Sequence, residues 1–340
     1  MDSPLLATDG AVAADVPDAG VAAHYGDPFA EQRALAQAAG LVDRSNRDVL
    51  RITGKDRLGW LNSISTQKVD DLAPGSAGQT LILSPKGHVE HHLSLVDDGT
   101  ETWMHVEPGE AASLLEFLES MRFMLRVEAA DASASHAVLT VSGPEVKPDV
   151  ADVAGAAAAL DFGYETDLIV PRREIAAAAG TLRDRGFRLS GMLAHEALRI
   201  AGHRPRFGTD TDHRAIPHEM GWITTAVHLN KGCYRGQETV ARVHNLGHPP
   251  RRLVMLHLDG SEDALPAHGE DVRAEGTTVG FVGSSARHYE LGPIALALVK
   301  RTVPVTATLT VAGISAAQEV IVPPDVGANV KISMGRRRDL

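Results

Sequence analysis

The sequence predicts an α+β protein that ends in a small β-barrel. Strand-like and helix-like stretches mix without a regular βαβ alternation, which favours α+β over a doubly wound sheet. Near the C-terminus, short apolar runs recur between glycine and proline turns, a spacing typical of small barrels. The 340 residues, 44% hydrophobic and 23% charged, are sufficient for two or three domains with ordinary globular cores.

Residues 1–28 are predicted to be a disordered tail. Their charged residues are all aspartates, and alanine, glycine and proline fill much of the remainder. Such a stretch has too little apolar area to offset the entropy lost on ordering.

Residues 29–250 are predicted to form the α+β body. Apolar periodicity and capping residues indicate helices at 30–39, 58–66, 114–118, 172–179 and 193–201. β-Branched and aromatic runs indicate strands at 48–53, 81–83, 89–96, 103–106, 123–127, 137–141 and 168–170. The turn residues 84–87 predict a hairpin between the second and third of these strands.

Residues 251–325 are predicted to be a separate β-barrel domain. The boundary is marked by His248-Pro249-Pro250, and short strands follow from residue 253 to residue 322. Residues 326–340 are predicted to be a basic tail because they include three consecutive arginines.

Composition also limits the classes of function. The formal charge of −11 argues against wholesale coating of nucleic acid, and the single cysteine excludes an intramolecular disulfide or a CxxC centre. The histidines show no metal-ligand spacing, so no metal site is predicted. No run of about 18 apolar residues indicates a membrane span. We therefore expect a cytoplasmic monomer that does not contact a membrane.

Residues 199–252 are basic, although the chain as a whole is acidic. Nine basic and four acidic residues give this segment a formal charge of +5, and it holds six histidines. Such a local field attracts an anionic ligand. Internal pairing of the arginines with carboxylates elsewhere explains the same composition, and the sequence leaves both explanations open.

The segment contains the motif Lys231-Gly232-Cys233-Tyr234-Arg235-Gly236-Gln237-Glu238. Its glycines indicate a tight loop, and a helix predicted from Glu238 places the thiol of Cys233 close to a helix N-terminus and two cations. This setting favours a reactive thiolate. A buried, unreactive cysteine is the alternative. A Cys–His nucleophile using His228 or His244 is not favoured, because no third, orienting residue is evident.

The motif resembles that of the YgfZ family, the folate-binding relatives of the glycine-cleavage T-protein. Further stretches at 198–210, 216–219 and 241–243 occur in the same order and extend the resemblance over about residues 29–325. The resemblance implies a three-part body around a central hole that binds tetrahydrofolate. It also implies a role in iron–sulfur cluster assembly or repair, with effects on cluster-dependent tRNA-modifying enzymes.

Site residues follow from the same resemblance. Cys233 is the functional thiol, and the other seven motif residues shape its loop. Folate and iron–sulfur client or assembly proteins are the implied partners, with a tRNA contact as a further expectation. The candidate folate-binding residues are Lys86, Arg199, Glu219, Trp222 and Arg242.

Two departures from the T-protein pattern bear on activity. Where the transferase has its catalytic aspartate, this chain has His91 or His92, and an imidazole replaces a carboxylate poorly when the substrate amine is cationic. The glutamate that holds the pterin falls on Ala201, with Glu196 or Glu219 as substitutes. The chain is therefore expected not to be a conventional enzyme. The alternatives are an aminomethyl or methyl transferase and a non-catalytic module that binds tRNA or protein.

Overall fold

The computed structural model describes residues 1–261 and 264–329, which build an α+β body and a β-barrel. Two 3-10 turns, at Pro4–Ala7 and Arg172–Glu174, accompany the helices. Within the described ranges, no helix is both long and apolar enough for a bilayer crossing. In chain order the helices are α1 Pro28–Gln37, α2 Arg57–Ile64, α3 Ala111–Ser120, α4 Val150–Ala154, α5 Ile175–Asp184, α6 Met192–Ala201 and α7 Gln237–Leu246.

The strands fall into four sheets, three of them large. In chain order they are β1 Val12–Ala13, β2 Ala22–His24, β3 Gly40–Asp43, β4 Asp48–Thr53, β5 Ala77–Leu83, β6 Val89–Asp97, β7 Thr102–Val106, β8 Glu128–Asp131, β9 His136–Ser142, β10 Ala158–Asp161, β11 Thr166–Pro171, β12 Arg188–Ser190, β13 Arg251–Leu258, β14 Asp271–Ala274, β15 Thr277–His288, β16 Gly292–Lys300, β17 Leu309–Val311 and β18 Ile314–Val320.

Two five-stranded sheets form the body. One has the order β10-β11-β9-β3-β12, in which only β12 and β3 run parallel. The other has the order β5-β6-β7-β4-β8 and is antiparallel throughout. Each sheet buries one apolar face under helices, α4 and α5 on the first and α2 and α3 on the second. The predicted α+β class is confirmed.

The six C-terminal strands close into a barrel in the order β13-β16-β15-β14-β17-β18. Strand β13 explains how the barrel joins the body. Its residues Val254 and Leu256 point into the barrel, whereas Leu253 and Met255 pack with α6 and β5 in a shared core. Because side chains alternate along a strand, a continuous apolar run serves both cores.

Residues 1–28 are not a disordered tail. Strands β1 and β2 pair with each other, Leu5 packs in the core of the first sheet, and Val21 is fully buried. Ser3 donates a hydrogen bond to the carboxylate of Asp43. The prediction failed because a few well-placed side chains anchor this segment, and average composition does not register them.

Other sequence-based boundaries differ in detail. Residues 123–127 were expected to be a strand, but 121–126 form a turn in which Phe123 is 94% exposed with φ of +52°. The helix predicted at 172–179 is a 3-10 turn at Arg172–Glu174 followed by α5, which continues through Gly180 to Asp184. Most of the predicted basic tail, residues 330–340, lies outside the described residues.

Candidate functional site

A cavity lies between the two body sheets, α6 and the loop that follows α6; we call it the central cavity. The five arginines that line it, Arg44, Arg47, Arg199, Arg204 and Arg206, are matched by the five carboxylates Asp18, Glu107, Glu165, Asp167 and Glu196. The formal charges of its lining therefore cancel. The remaining lining residues are Asn46, Gln79, His92, Ser94, His105, Phe162, Tyr164, Met192, His195 and Pro205.

Arg206 is the hub of this lining. Its Nη1 and Nη2 donate to the two carboxylate oxygens of Asp18 at 2.9 and 2.8 Å, and its Nε donates to Glu107 Oε2 at 2.7 Å. The other Glu107 oxygen accepts from Arg47 at 2.6 Å. Burial by itself raises the pKa of Glu107, but Arg47 and Arg206 outweigh it and hold the pKa at about 2. Glu107 is therefore ionised at neutral pH.

Arg199 ties the cavity to the barrel. It donates to Glu196 on the same helix at 2.7 and 2.9 Å and to Asp210 Oδ2 at 2.9 Å. It also donates to Ser284 Oγ of β15 at 2.7 Å, and Ser284 donates onward to Asp210. Burial opposes ionisation of Glu196, yet Arg199 and Arg206 hold its pKa well below the ordinary value. Arg199, a predicted folate-binding residue, thus lines the cavity with its donors already paired.

His105 is a buried residue of the cavity lining. Arg47 Nε donates to its Nδ1 at 2.8 Å, so its proton is assigned to Nε2, which donates to Asp167 Oδ2 at 2.8 Å. Burial and the adjacent Arg47 lower the pKa of His105, which keeps the ring neutral. Arg44 holds the other oxygen of Asp167 at 3.1 Å.

The neighbours His91 and His92 point to opposite faces of β6. His91 contacts Glu110 at 2.9 Å, away from the cavity, whereas His92 lines the cavity and packs on Trp222 with ring centroids 4.7 Å apart. Burial lowers the pKa of His92 to about 4, so its imidazole is neutral at neutral pH. Of the two residues aligned with the transferase aspartate, His92 is the one that faces the cavity.

Two buried polar atoms of the lining, Oδ1 of Asn46 and Nε2 of His92, have no hydrogen-bond partner among the described residues. The ring nitrogens of His195 instead lie 3.4 Å from Glu165 Oε2 and 3.7 Å from Glu196 Oε1. Buried polar atoms are normally satisfied, so we expect a polar ligand or a water to bond to the first two atoms. Phe162 and the half-exposed Tyr164 stack nearby, with ring centroids 6.0 Å apart. A neutral imidazole nitrogen near an aromatic pair suits a neutral, planar heterocycle such as a reduced pterin.

The motif loop lies elsewhere: among the described residues that line the cavity, none belongs to 231–238. Lys231 Nζ donates to the main-chain oxygens of Asn62, Ser65 and Gln67 at 2.5 to 2.8 Å. Burial lowers the pKa of this lysine to about 8. Tyr234 is buried in the core shared with the barrel, and burial raises its pKa to about 12. These two side chains anchor the loop.

The rest of the motif closes the loop on the β5–β6 hairpin. Gly236 has φ of +81°, and a Cβ there would lie 2.7 Å from the carbonyl oxygen of Ser84. Arg235 pairs with Glu90 of β6 at 3.0 Å. Gln237 donates weakly to Lys231 O at 3.4 Å, and apart from Cys233 the remaining motif residues, Gly232 and Glu238, are exposed.

Cys233 is exposed and lies four residues before the first residue of α7. The expected cations are occupied elsewhere, because Lys231 binds carbonyl groups and Arg235 binds Glu90. Within the described part of the chain, neither candidate base is bonded to the thiol: His228 accepts from Asn230 and His244 contacts Asn329. The geometry offers an accessible thiol without a general base.

The other predicted folate-binding residues are dispersed. Glu219 is fully buried and paired with Arg251, so it serves the junction with the barrel. Trp222 is a residue of the core shared with the barrel, and its ring packs against that of His92, which lines the cavity. Lys86 is exposed on the hairpin turn, and Arg242 is exposed on α7, where it pairs with Glu238. As ligand contacts, these four residues remain predictions.

The basic segment is explained largely by internal pairing. Its arginines at 199, 204, 206, 235, 242 and 251 all pair with carboxylates. The +5 charge is thus compensated by the acidic remainder of the chain. Of the two explanations for the composition of this segment, the structure therefore favours internal pairing over attraction of an anionic ligand. The tRNA contact stays an untested prediction.

Comparisons with known proteins agree with this architecture. Residues 5–167 match the GCVT N-terminal domain, and residues 251–330 match the glycine cleavage T-protein C-terminal barrel domain. An aminomethyltransferase of Synechococcus sp. (strain RCC307) is 27% identical over 315 residues, covering 84% of this chain and 86% of that protein. An aminomethyltransferase of Geobacillus kaustophilus is 29% identical over 305 residues, covering 80% and 82%.

A solved structure supports the fold. The glycine cleavage system aminomethyltransferase T from Bartonella henselae superposes with a TM-score of 0.79 at 17% identity, covering 93% of this chain and 94% of that one. The expected T-protein-like body with a C-terminal barrel is therefore confirmed. The narrower resemblance to the YgfZ family rests on the motif at 231–238.

Proposed function

Because the chain belongs to the glycine-cleavage T-protein-like superfamily, we propose that it binds tetrahydrofolate in the central cavity and acts as a folate-dependent one-carbon transferase of the aminomethyltransferase type. The observation that carries the proposal is the unpartnered Nε2 of the neutral His92 inside a formally neutral lining. A neutral heterocycle satisfies such an atom without adding an unpaired charge.

The chain's own residues bind and orient in this proposal. His92 offers a hydrogen bond to the pterin, and the ion-paired arginines line the surrounding walls. Tetrahydrofolate, when bound, supplies the amine nitrogens that carry the one-carbon unit. Arg199 and Asp210 fix the α6 side of the cavity against the barrel through their hydrogen bonds with Ser284 of β15.

The neutral ring of His92 limits the chemistry. An uncharged imidazole accepts or donates a hydrogen bond, but it forms no ion pair with a cationic amine. Attraction of such an amine is weaker than with a carboxylate. We therefore expect folate binding of ordinary strength together with aminomethyl transfer that is slow.

Replacement of the two neighbouring histidines tests the binding site. His92→Phe keeps the ring on Trp222 and removes the nitrogens, so tetrahydrofolate binding should weaken about tenfold, the value of roughly one hydrogen bond. His91→Phe makes the same change on the opposite face of β6 and should stay within about twofold of the unaltered protein. Calorimetric titration measures both. Equal affinities for His92→Phe and the unaltered protein contradict the proposal.

A second candidate function is an accessory role for iron–sulfur proteins, acting through Cys233. The observation that favours it is the exposure of the only thiol on a loop anchored by Lys231 and Tyr234. A single thiol holds a cluster only together with ligands from another molecule. A strain carrying Cys233→Ser should lose activity of cluster-containing enzymes under oxidative stress, with His92→Phe as the comparison. Unchanged enzyme activity in the Cys233→Ser strain removes this candidate.

A further inference from the structure

A loop of the N-terminal segment reaches the central cavity through one side chain. Among residues 15–20, all of which the structure describes, only Asp18 is buried, with 7% of its surface exposed against 86% for Val16. The Ala14 N–H donates to Val21 O and closes the base of the loop, where Val21 is fully buried. The loop is thus fixed at its base and fastened at its tip by a carboxylate.

The groups that hold Asp18 have the geometry of a carboxylate receptor. The parallel Nη1 and Nη2 groups of Arg206 donate to its two oxygens, and Asn46 Nδ2 donates to Oδ1 at 3.1 Å. A guanidinium fork assisted by an amide binds a free carboxylate in the same manner as a side-chain carboxylate.

Arg206 does not depend on Asp18 alone. Its Nε remains bonded to Glu107 at 2.7 Å when the two Nη groups change partner. The carboxylates that bind Arg199 are held more firmly than Asp18. Glu196 lies on the same helix as Arg199, and Asp210 accepts a hydrogen bond from Ser284. Glu165 also lies on a largely exposed turn, between β10 and β11, but it accepts from Arg204 and contacts His195, both of which line the cavity. Asp18 is the carboxylate of the lining that the N-terminal loop contributes.

The charge balance of the central cavity favours replacement of Asp18 by another carboxylate over departure of Asp18 alone. With Asp18 in place, five arginines face five carboxylates; without it, five arginines face four, and the lining gains a charge of +1. One ligand carboxylate restores neutrality.

We propose that Arg206 and Asn46 form a carboxylate-binding subsite of the central cavity, which Asp18 fills until the carboxylate of a ligand displaces it. The subsite accepts a small organic acid attached to a planar group, and the N-terminal loop is its internal competitor. The evidence for the subsite is the set of contacts that hold Asp18. The choice of an aryl-glutamate, p-aminobenzoylglutamate, as the probe rests on the proposed function.

Hydrogen exchange tests the displacement without any pterin. In the full chain, p-aminobenzoylglutamate at saturating concentration should increase exchange of the amides of residues 14–21 about tenfold, because the loop tip loses its fastening. The uncharged diamide of the same compound should have no effect. Without ligand, Asp18→Asn should increase the same exchange about tenfold, and the matched variant Asp15→Asn, altered at an exposed position of the same loop, should not. No change with the glutamate or with Asp18→Asn overturns the proposal.

Titration with tetrahydrofolate separates this inference from the proposed function. Asp18→Asn should bind about tenfold more tightly than Asp15→Asn, because the competitor has lost its charge, while 6-methyltetrahydropterin, which has no carboxylate, should bind both alike. If tetrahydrofolate binds neither variant but the aryl-glutamate still releases the loop, the proposed function fails and the subsite stands. If tetrahydrofolate binds both variants equally and loop exchange does not change, the subsite fails and the proposed function stands.

Discussion

At the scale of single residues, the site depends on partners far apart in the sequence. Arg206 binds Asp18 across 188 positions and Glu107 across 99. The sequence marks residues 199–252 as unusually basic but does not reveal which carboxylates compensate them, because pairing is a property of the fold. The alternation of β6 predicts that one of His91 and His92 faces the cavity, yet choosing between them requires knowledge of which face that is.

We predict that Arg206→Ala lowers the free energy of unfolding by about 3–5 kcal/mol, since it leaves Asp18 and Glu107 buried without their main counter-charge. Urea denaturation measures the change. The control is Arg242→Ala, which removes an exposed pair with Glu238 and should cost less than about 1 kcal/mol. Similar losses for the two variants contradict the assigned role of Arg206.

At the scale of elements, hairpin β5–β6 and the motif loop fit together through glycines. Gly87 and Gly236 both have positive φ, and a Cβ on Gly87 would lie 2.7 Å from Cβ of Thr239 on α7. The turn residues 84–87 and the glycines of the motif were visible in the sequence as two separate loops. Their contact was not, because nothing local in either segment identifies its partner.

Gly87→Ala should therefore lower the free energy of unfolding by more than the backbone strain alone accounts for. Gly75 has nearly the same φ, +81° against +80°, but nothing lies within 4 Å of its Cβ position. We expect about 1 kcal/mol of destabilisation for Gly75→Ala and about 2–4 kcal/mol for Gly87→Ala, which adds a clash to the strain. Denaturation of both variants measures the difference. Equal costs would indicate that the hairpin and α7 are not in close contact.

Local patterns predicted regular elements better than exposed segments. The strand at Asp48–Thr53 was predicted to the residue, because three of its six residues are β-branched. The apolar run 123–127 has a similar composition but lies in a turn with Phe123 exposed. Periodicity reports which residues are suited to burial, whereas tertiary structure decides which are buried.

At the scale of the whole molecule, the net charge is −11, but the formal charges that line the central cavity cancel. The central cavity pairs five arginines with five carboxylates contributed by the N-terminal loop, both body sheets and α6. The α+β class and the barrel followed from composition and strand spacing, while the site did not, since it is assembled from residues 18 to 206 along the chain.

Stability should decrease as the pH falls, in two stages. Burial lowers the pKa of His92 and of His218 from 6.5 to about 4, so the unfolded chain binds protons first below pH 6.5. The two groups together should remove roughly 2 kcal/mol per pH unit between about pH 6 and 5. Glu107 and Glu165, each with a folded pKa near 2, stabilise the fold above pH 4.5, and that contribution is lost between about pH 4.5 and 2.

Urea denaturation across this pH range checks the prediction. His92→Phe should reduce the slope of stability against pH between 6 and 5 by roughly 1 kcal/mol per pH unit, because one buried imidazole that resists protonation is gone. A stability that is constant between pH 7 and 5 contradicts the assignment of neutral, buried histidines.

The most direct test of a folate site in the central cavity is a crystal structure of the full chain with tetrahydrofolate bound. The predicted result has the pterin in the central cavity, with a ring atom within hydrogen-bond distance of Nε2 of His92. A pterin bound at the loop of Cys233, or a cavity in which this nitrogen remains without a ligand partner at saturating tetrahydrofolate, contradicts it.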